Sequence, residues 1–445
     1  MDERISGMIL NKQNLSQIRQ NLLEENPADI AVLFEDLEGD NLVRVFRLLP
    51  KELAAEVFTY MEPDLQQSIV EAITDRELSG IIDELFLDDT VDFIDEMPAN
   101  VVKRVLKNTD PNTRKLINQF LQYKEDSAGS IMTVEFVDLK KQMTVKEAFE
   151  YIRKTGVDKE TIYTCYVTNK NRKLQGVLSV KDLLLADYED IVEDIMDTNV
   201  ISVHTDDDKE EVVNALSKYN FLALPVVDKE TRLVGIVTVD DAIDVLQEEN
   251  TEDIEKMAAI TPSDKPYFKT GVFETFVQRI PWLMLLMISA AFTGAIISHF
   301  EEALGKMVIL TSFIPMFMGT GGNAGGQSSV TIIRGISLGE IEFSDLLKAV
   351  WKEIRVGVLC GIALAAVNFL KLMLFDRVGF EVSMVVNLTL VATVFFAKII
   401  GCVLPIFAKK LKLDPAVVAS PFITTIIDAL SLVIYFNIAS NVLGI

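Results

Sequence analysis

An aspartate lies near the middle of the last apolar stretch of this 445-residue chain. Asp428 interrupts the otherwise uncharged run Ala416–Ile445, which is long enough to cross a bilayer. A carboxylate at that depth costs about 2.5–3.5 kcal/mol even on the mildest insertion scales. Because buried intramembrane charges generally serve a purpose, we predict that Asp428 lies on a cation pathway.

The neighbours of Asp428 are polar at helical spacing. Ser420, Thr424, Asp428 and Ser431 recur every three or four residues, so they share one face of a helix. Hydroxyl residues alone would favour a seam that joins helices. With the aspartate among them, we predict that Ser420 and Thr424 line the same pathway.

A glycine-rich segment, Pro315–Ser329, is the second feature that a membrane span rarely carries. It holds five glycines around Asn323, among them Gly321. Such residues suit close helix packing, or a backbone that faces a water-filled path, and the sequence leaves both open. No Gly-Lys-Ser/Thr follows, so the segment is not a phosphate-binding loop. We predict that Asn323 and Gly321 belong to the pore.

Charge divides the chain into two parts. Of 66 acidic and 42 basic residues, 11 and 13 follow Pro266, which leaves 55 and 29 before that point. An acidic soluble half argues against nucleic acid as a partner and fits either plain solubility or divalent cations. The charged start of the chain, with no apolar stretch after it, predicts a cytoplasmic location for this half.

Apolar stretches of spanning length begin only after Arg279. Five spans are predicted: Ile280–Phe300, Met307–Ile332, Val356–Phe375, Met384–Phe407 and Ala416–Val442. The loops after the second and fourth spans hold most of the lysines and arginines, which places those loops inside and the C-terminus outside.

The soluble half contains two kinds of repeat. Short amphipathic helices follow one another from about Asn14 to Thr109, and several begin at Pro or Asp, which predicts a helical superhelix. Further on, Leu174–Asp182 returns as Leu233–Asp241, each copy within a β-α-β-β-α order. This duplication resembles a tandem pair of cystathionine-β-synthase (CBS) modules. Ser179 with Asp182, and Thr238 with Asp241, fit the spacing that would bind an adenine nucleotide such as ATP, or that would only begin a helix.

The fold class predicted is therefore multidomain: an all-α cytoplasmic superhelix (1–124), an α+β tandem CBS pair (125–245), a connecting helix (246–278) and an α-helical transmembrane domain of five spans (279–445). In this order, with Gly319–Asn323 and Asp414–Asp428, the chain resembles the MgtE family of magnesium channels. The resemblance implies a homodimer in the cell membrane, with Asp428 of each subunit binding hydrated Mg²⁺ and Asn323 beside the path.

The resemblance also implies that Mg²⁺ is a regulator as well as the substrate. Cytosolic Mg²⁺ bound between carboxylates of the soluble domains would hold the gate shut. Positions that match the family's acidic ligands are Glu56, Asp88, Asp92, Asp208, Glu210, Asp241, Asp244, Glu249, Glu252 and Asp253. Asn220 departs from this pattern, since an acidic ligand is expected there.

Two other functions stay open at this point. The first is a CBS-regulated transporter of another substrate, which Lys398 within the fourth span keeps open for anions. The second is a membrane-anchored nucleotide sensor that transports nothing. An enzyme is not expected, since the sequence offers no nucleophile–base pair or catalytic metal cluster.

Overall fold

The computed structural model of the chain describes residues 15–37, 39–263, 265, 267–301, 305, 307–417 and 420–444, and the side chain of Ser420 lies outside this part. The chain divides into two units, Met1–Leu246 and Gln247–Ile445. The domain boundaries predicted at residues 124, 245 and 278 stay predictions.

Short helices of seven to ten residues fill the first part of the N-terminal unit. They are α1 Leu15–Leu22, α2 Pro27–Glu35, α3 Asp40–Phe46, α4 Lys51–Thr59, α5 Pro63–Ala72, α6 Asp75–Ile82, α7 Leu87–Asp95, α8 Ala99–Asn108 and α9 Pro111–Phe120. Their starts follow the predicted signals. Asn26 and Asp110 cap α2 and α9 ahead of Pro27 and Pro111, and Thr74 forms a capping box with Glu77. The predicted helical series is confirmed in this region.

Two three-stranded sheets with the same topology follow. The first module holds β1 Val137–Lys140, α10 Val145–Thr155, β2 Thr164–Thr168, β3 Leu174–Ser179 and α11 Val180–Leu185, with the short helix α12 Val192–Ile195 after it. The second holds β4 Val203–His204, α13 Lys209–Tyr219, β5 Ala223–Val227, β6 Leu233–Thr238 and α14 Val239–Met257. In each sheet the first strand pairs in parallel with the middle strand, which pairs antiparallel with the third.

The two modules are interlocked through the segments that precede their first strands. Thr133 of the first module pairs with Ile236 in β6, and Asp197 pairs with Val177 in β3. Glycine makes this exchange feasible. A Cβ at Gly235 would lie 2.6 Å from the carbonyl oxygen of Thr133, so no larger residue fits without moving the backbone.

The C-terminal unit contains the end of α14 and five long helices within the described residues. These are α15 Val272–His299, α16 Ile314–Ser337, α17 Leu346–Leu374, α18 Phe380–Lys410 and α19 Ser420–Leu443. Single 3₁₀ turns, Val308–Phe313 and Phe343–Asp345, precede α16 and α17.

Four stretches in the described part are long and apolar enough to cross a membrane. They are Val272–His299, Phe343–Leu374, Phe380–Lys410 and Pro421–Leu443. The predicted span Met307–Ile332 corresponds to a 3₁₀ turn and α16, whose glycine, asparagine and glutamine residues lower its mean hydropathy. The count of five spans therefore stays a prediction.

Glycines bring α16 and α18 into backbone contact. A Cβ built on Gly401 in α18 would overlap the carbonyl of Gly325 in α16. On the other side of α18, a Cβ at Gly361 in α17 would lie 3.2 Å from the Cα of Val391. Small residues at such crossings let helices gain close van der Waals contact where lipid supplies no hydrophobic drive.

We predict that Gly401→Ala destabilises the membrane unit, because the added methyl group meets backbone rather than a movable side chain. Overpacking of this kind costs about 1–3 kcal/mol. The apparent melting temperature of the detergent-solubilised protein, followed by size-exclusion chromatography after heating, should fall. Gly294→Ala is the matched control, since a Cβ there meets no atom within 4 Å. Equal melting temperatures for the two variants would show that α16 and α18 can separate without cost.

Candidate functional site

A cavity of about 400 Å³ opens between α16 and α19. Its lining combines the glycine-rich segment with two polar residues of the last helix: Met318, Gly319, Gly322, Asn323, Gly326, Gln327, Val330, Thr424 and Asp428. Three residues predicted to line a pore, Asn323, Thr424 and Asp428, thus meet on one surface although about 100 residues of chain separate α16 from Asp428.

The two faces of α19 decide which side chains reach this cavity. Ile423 and Ile427 are fully buried and face the glycines of α16, where a Cβ on Gly325 would collide with Ile427. Thr424 and Asp428, one turn apart, lie on the adjacent face and line the cavity. The spacing of three or four residues in the sequence placed Ser431 on the same face, but Ser431 is 1% exposed and lies against Gly321.

Gly321 is not among the residues that line the cavity. A Cβ at this position would lie 2.8 Å from Ile427 and Thr393 and 2.9 Å from Ser431, so Gly321 serves helix contact. Gly319 and Gly326 differ, since a Cβ on either would meet no atom within 4 Å. Ser420, the remaining predicted pore residue, begins α19, and its side chain lies outside the described part.

One carboxylate oxygen of Asp428, Oδ1, is buried without a hydrogen-bond partner among the described residues. Leaving a buried acceptor unpaired costs about 1–3 kcal/mol, and more for a charged group. An open cavity lined by a carboxylate residue, a threonine and amide side chains offers oxygen ligands that suit a hard, hydrated divalent cation. The arrangement can therefore attract a cation without stripping all its water.

A second set of carboxylates gathers within the N-terminal unit. Asp88 lies in the first turn of α7 and is 8% exposed, and its Oδ1 has no hydrogen-bond partner in the described part. Burial, and then the charges of Asp89 and Asp241, raise the pKa of Asp88 well above its usual value. Burial is also the main cause that raises the pKa of Asp241 to about 6. Two predicted ligands, Asp88 and Asp241, are thus close enough to repel each other.

Sequence reasoning missed other members of this acidic cluster. Burial followed by the charges of Asp89 and Asp241 raises the pKa of Glu160 to about 7. Burial and the charge of Asp241 raise the pKa of Asp89 to about 6. Glu135 contributes repulsion to Asp88, Asp89 and Glu160. The doublets Asp88-Asp89 and Asp240-Asp241 were the available signal, whereas nothing in the sequence pointed to Glu135 or Glu160.

The other predicted ligands of the N-terminal unit lie on, or at the start of, several different helices. Glu56 and Asp92 are exposed on α4 and α7. Asp208 caps α13 and accepts the backbone N–H of Glu210 at 2.9 Å. Burial and the charge of Asp240 raise the pKa of Asp244. Among the described residues, no three His, Cys, Asp or Glu side chains are grouped closely enough to hold a metal ion.

Asn220 has a structural explanation for its departure from the family pattern. It ends α13 in a left-handed conformation, with φ 53° and ψ 44°. Asparagine tolerates this conformation better than most residues other than glycine. Its residue type here therefore suits the end of a helix.

The end of α14 carries the three predicted ligands of the C-terminal unit, Glu249, Glu252 and Asp253. The ammonium of Lys256 lies 2.6 Å from Glu252 and 2.7 Å from Asp414, which precedes α19. Burial followed by the charge of Asp414 raises the pKa of Asp253, and Ser337, the last residue of α16, lies beside this carboxylate and opposes the rise. Sequence reasoning missed Lys256 and Ser337. The end of α14 thus contacts segments adjoining both helices that line the cavity.

The two candidate nucleotide motifs each begin a helix. The hydroxyl of Ser179 donates to Asp182 at 2.5 Å, and that of Thr238 donates to Asp241 at the same distance. Ser179 also accepts the backbone N–H of Asp182, which completes a capping box at the start of α11. The helix-start interpretation of the Ser179 motif is therefore confirmed, while nucleotide binding stays a prediction.

Comparison with known protein families covers most of the chain. Residues 314–438 match the family model described as MgtE, divalent cation transporter. Residues 25–126 match the MgtE intracellular N domain, and residues 128–189 and 192–248 match CBS domains. The match confirms the proposed resemblance for the soluble half and the membrane half alike.

Curated proteins and solved structures agree with these matches. The magnesium transporter MgtE of Thermus thermophilus is 37% identical over 99% of this chain and 98% of its own length. The Bacillus subtilis magnesium transporter MgtE is 33% identical, over 97% and 95% respectively.

Among crystal structures, the cytosolic domain of the Mg²⁺ channel MgtE in complex with ATP has a TM-score of 0.51 at 40% identity. It covers 53% of this chain and 96% of that one. Because the similarity to curated relatives extends over nearly the whole of both chains, this protein belongs to the MgtE family of magnesium transporters.

Proposed function

We propose that this protein is a homodimeric Mg²⁺ channel of the cell membrane, which cytosolic Mg²⁺ closes by binding to its N-terminal and CBS domains. The observation that carries the proposal is that Asp428, whose Oδ1 is buried without a hydrogen-bond partner among the described residues, lines the cavity between α16 and α19. In a homodimer, two such carboxylates would face one ion. Their mutual repulsion would be relieved by a divalent cation, whose hydration shell can be retained.

Five spans with the C-terminus outside are part of this proposal. The buried, glycine-rich α16 would cross the membrane as the fifth, since a helix enclosed by α18 and α19 needs no uniformly apolar surface. The basic residues at the end of α16, in the first turns of α17 and at the end of α18 would then lie on the cytoplasmic side, in agreement with the positive-inside rule.

Substitution of Asp428 tests the pore. We expect Asp428→Asn to abolish Mg²⁺ influx into proteoliposomes loaded with a Mg²⁺-sensitive dye, because the amide carries no charge to attract the ion. Asp376→Asn is the control, since Asp376 pairs with Lys371 at the end of α17 and does not line the cavity.

The outcomes of this assay separate the proposed function from its rivals. Equal influx through Asp428→Asn and the unchanged protein would place the pathway elsewhere. A protein that carries no Mg²⁺ at any internal concentration, yet binds ATP, would instead be a nucleotide sensor. Influx of another solute in place of Mg²⁺ would identify a transporter of different cargo.

The acidic cluster supports the regulatory part of the proposal. Carboxylates that repel one another in a partly buried site lower the stability of the arrangement until a divalent ion neutralises them. The buried and unpaired Oδ1 of Asp88 offers a ligand oxygen there. Asp88, Asp241 and their acidic neighbours would bind Mg²⁺ between the helical region and the second CBS module, and bound Mg²⁺ would favour the closed state.

We predict that Asp88→Ala raises the internal Mg²⁺ concentration needed to stop influx, because one ligand is lost and repulsion in the empty state falls. The half-inhibitory concentration in proteoliposomes measures this effect. Glu189→Ala removes an exposed carboxylate of the first CBS module and should leave it unchanged. An unaltered half-inhibitory concentration for Asp88→Ala would remove Asp88 from the sensor.

The pH dependence of stability follows from Glu160. Its pKa in the folded protein is about 7, above the ordinary value of 4.5, so the folded state holds this proton more tightly than the unfolded chain. Stability without Mg²⁺ should therefore rise as pH falls from about 7 toward 4.5. We predict a higher melting temperature of the soluble domains at pH 5.5 than at pH 8, and a smaller difference in Glu160→Gln. A melting temperature that is lower at pH 5.5 than at pH 8 in both proteins would contradict this assignment.

ATP is a further proposed ligand, at the CBS pair. The related cytosolic domain crystallised with ATP is 40% identical to this chain. Ser179 with Asp182, and Thr238 with Asp241, are the candidate contacts. Asp241 also belongs to the acidic cluster, so nucleotide binding there would affect the proposed Mg²⁺ sensor directly.

A further inference from the structure

Among the described residues of the membrane unit, two charged residues outside α19 are buried. Lys398 in α18 is 5% exposed and Glu353 in α17 is 8% exposed. Charges at such positions are expensive, and those that persist commonly face a pathway or its immediate surroundings. Neither residue is needed to explain how the glycines join α16 to α18.

Lys398 reaches the wall of the cavity that holds Asp428. Its ammonium donates to Oε1 of Gln327 at 3.2 Å, and Gln327 lines the cavity. The stem of the lysine passes Gly357 in α17, where an added Cβ would lie 3.4 Å from the Cβ of Lys398. The same Cβ would lie 3.3 Å from the Cα of Phe395, so α17 packs closely against the part of α18 that carries Lys398.

Glu353 of α17 is hydrogen-bonded to Ser328, the residue that follows Gln327 in α16. Its carboxylate accepts a short hydrogen bond from the hydroxyl of Ser328, which is 1% exposed. The consecutive residues Gln327 and Ser328 of α16 therefore hold a buried cation and a buried anion. Gln327, which accepts the hydrogen bond from Lys398, lines the cavity.

We propose that Lys398 is a positioned counter-charge that weakens the binding of Mg²⁺ near Asp428 and so speeds its release. This inference rests on the proposed function. An ion must be bound firmly enough to enter a pore and weakly enough to leave it. Carboxylates alone hold a divalent ion tightly, and an ammonium fixed behind the cavity wall opposes them through a medium of low dielectric constant. Glu353, of opposite sign, acts in the opposite direction.

The test is the dependence of Mg²⁺ influx on external Mg²⁺ in proteoliposomes of the full-length protein. For Lys398→Gln we expect a half-saturating concentration about three- to tenfold lower, together with a lower maximal rate. Lys371→Gln is the matched control, because it removes the same charge from α17 at a position where the lysine is 59% exposed and paired with Asp376. Its half-saturating concentration should not change.

Two further variants keep the inference testable if Lys398→Gln does not fold. Gln327→Glu would neutralise Lys398 in place and should lower the half-saturating concentration. Glu353→Gln removes the opposing charge and should raise it. A residue that only joins helices would not produce shifts of opposite sign that follow the charge.

The results distinguish this inference from the function on which it rests. If Asp428→Asn loses influx while the Lys398, Gln327 and Glu353 variants keep the half-saturating concentration of the unchanged protein, the counter-charge is overturned and the pore assignment stands. If Asp428→Asn conducts like the unchanged protein, the proposed pore fails, and the role of Lys398 fails with it.

Discussion

The membrane unit depends on the close approach of α16 to α18 and α19. Glycines at positions 321, 325 and 401 leave no space for side chains at these crossings, so backbone meets backbone or the side chains of Ile423 and Ile427. This packing turns the opposite edge of α16, with Gly322, Asn323 and Gly326, toward Asp428. A helix of ordinary apolar residues could not be enclosed in this way and still leave a polar cavity.

Electrostatics adds a second constraint, and it differs between the two units. In the membrane unit, Asp428 lines a cavity beside amide and hydroxyl residues, and its Oδ1 is buried without a hydrogen-bond partner among the described residues. In the soluble unit, several carboxylates repel one another, and burial raises the pKa of Glu160 to about 7. Neither arrangement stabilises the bare protein. Under the proposed function, a divalent cation would supply the missing charge in each arrangement, so that one ion would be both cargo and signal.

Contacts of α14 give the proposed gate a physical route within the C-terminal unit. Lys256 pairs with Asp414 just before α19, and Asp253 lies beside Ser337 at the end of α16. A change in the position of α14 would therefore act on the ends of the two helices whose other residues line the cavity. Ion pairs and single hydrogen bonds at helix ends are weak enough to break during gating, whereas the glycine crossings hold the helices together.

The sequence by itself determined the order of the regions, the helix starts and the residues worth testing. Proline and capping residues predict the starts of α2, α6 and α9, because these signals act between neighbours in the chain. The repeat of Leu174–Asp182 predicts the paired modules. Asp428 and Asn323 stood out because a carboxylate or a glycine-rich helix is costly in lipid wherever it later packs.

Only the tertiary structure decided which of these residues meet. Ser431 follows Thr424 and Asp428 at helical spacing but packs against Gly321 of α16, because the packing of α19 on α16 selects which residues line the cavity. Glu160 joins Asp88, and Lys398 reaches Gln327, through contacts between residues about 70 positions apart. Periodicity records the face of one helix, but a partner across the core depends on how two helices or domains pack, and no local pattern contains that information.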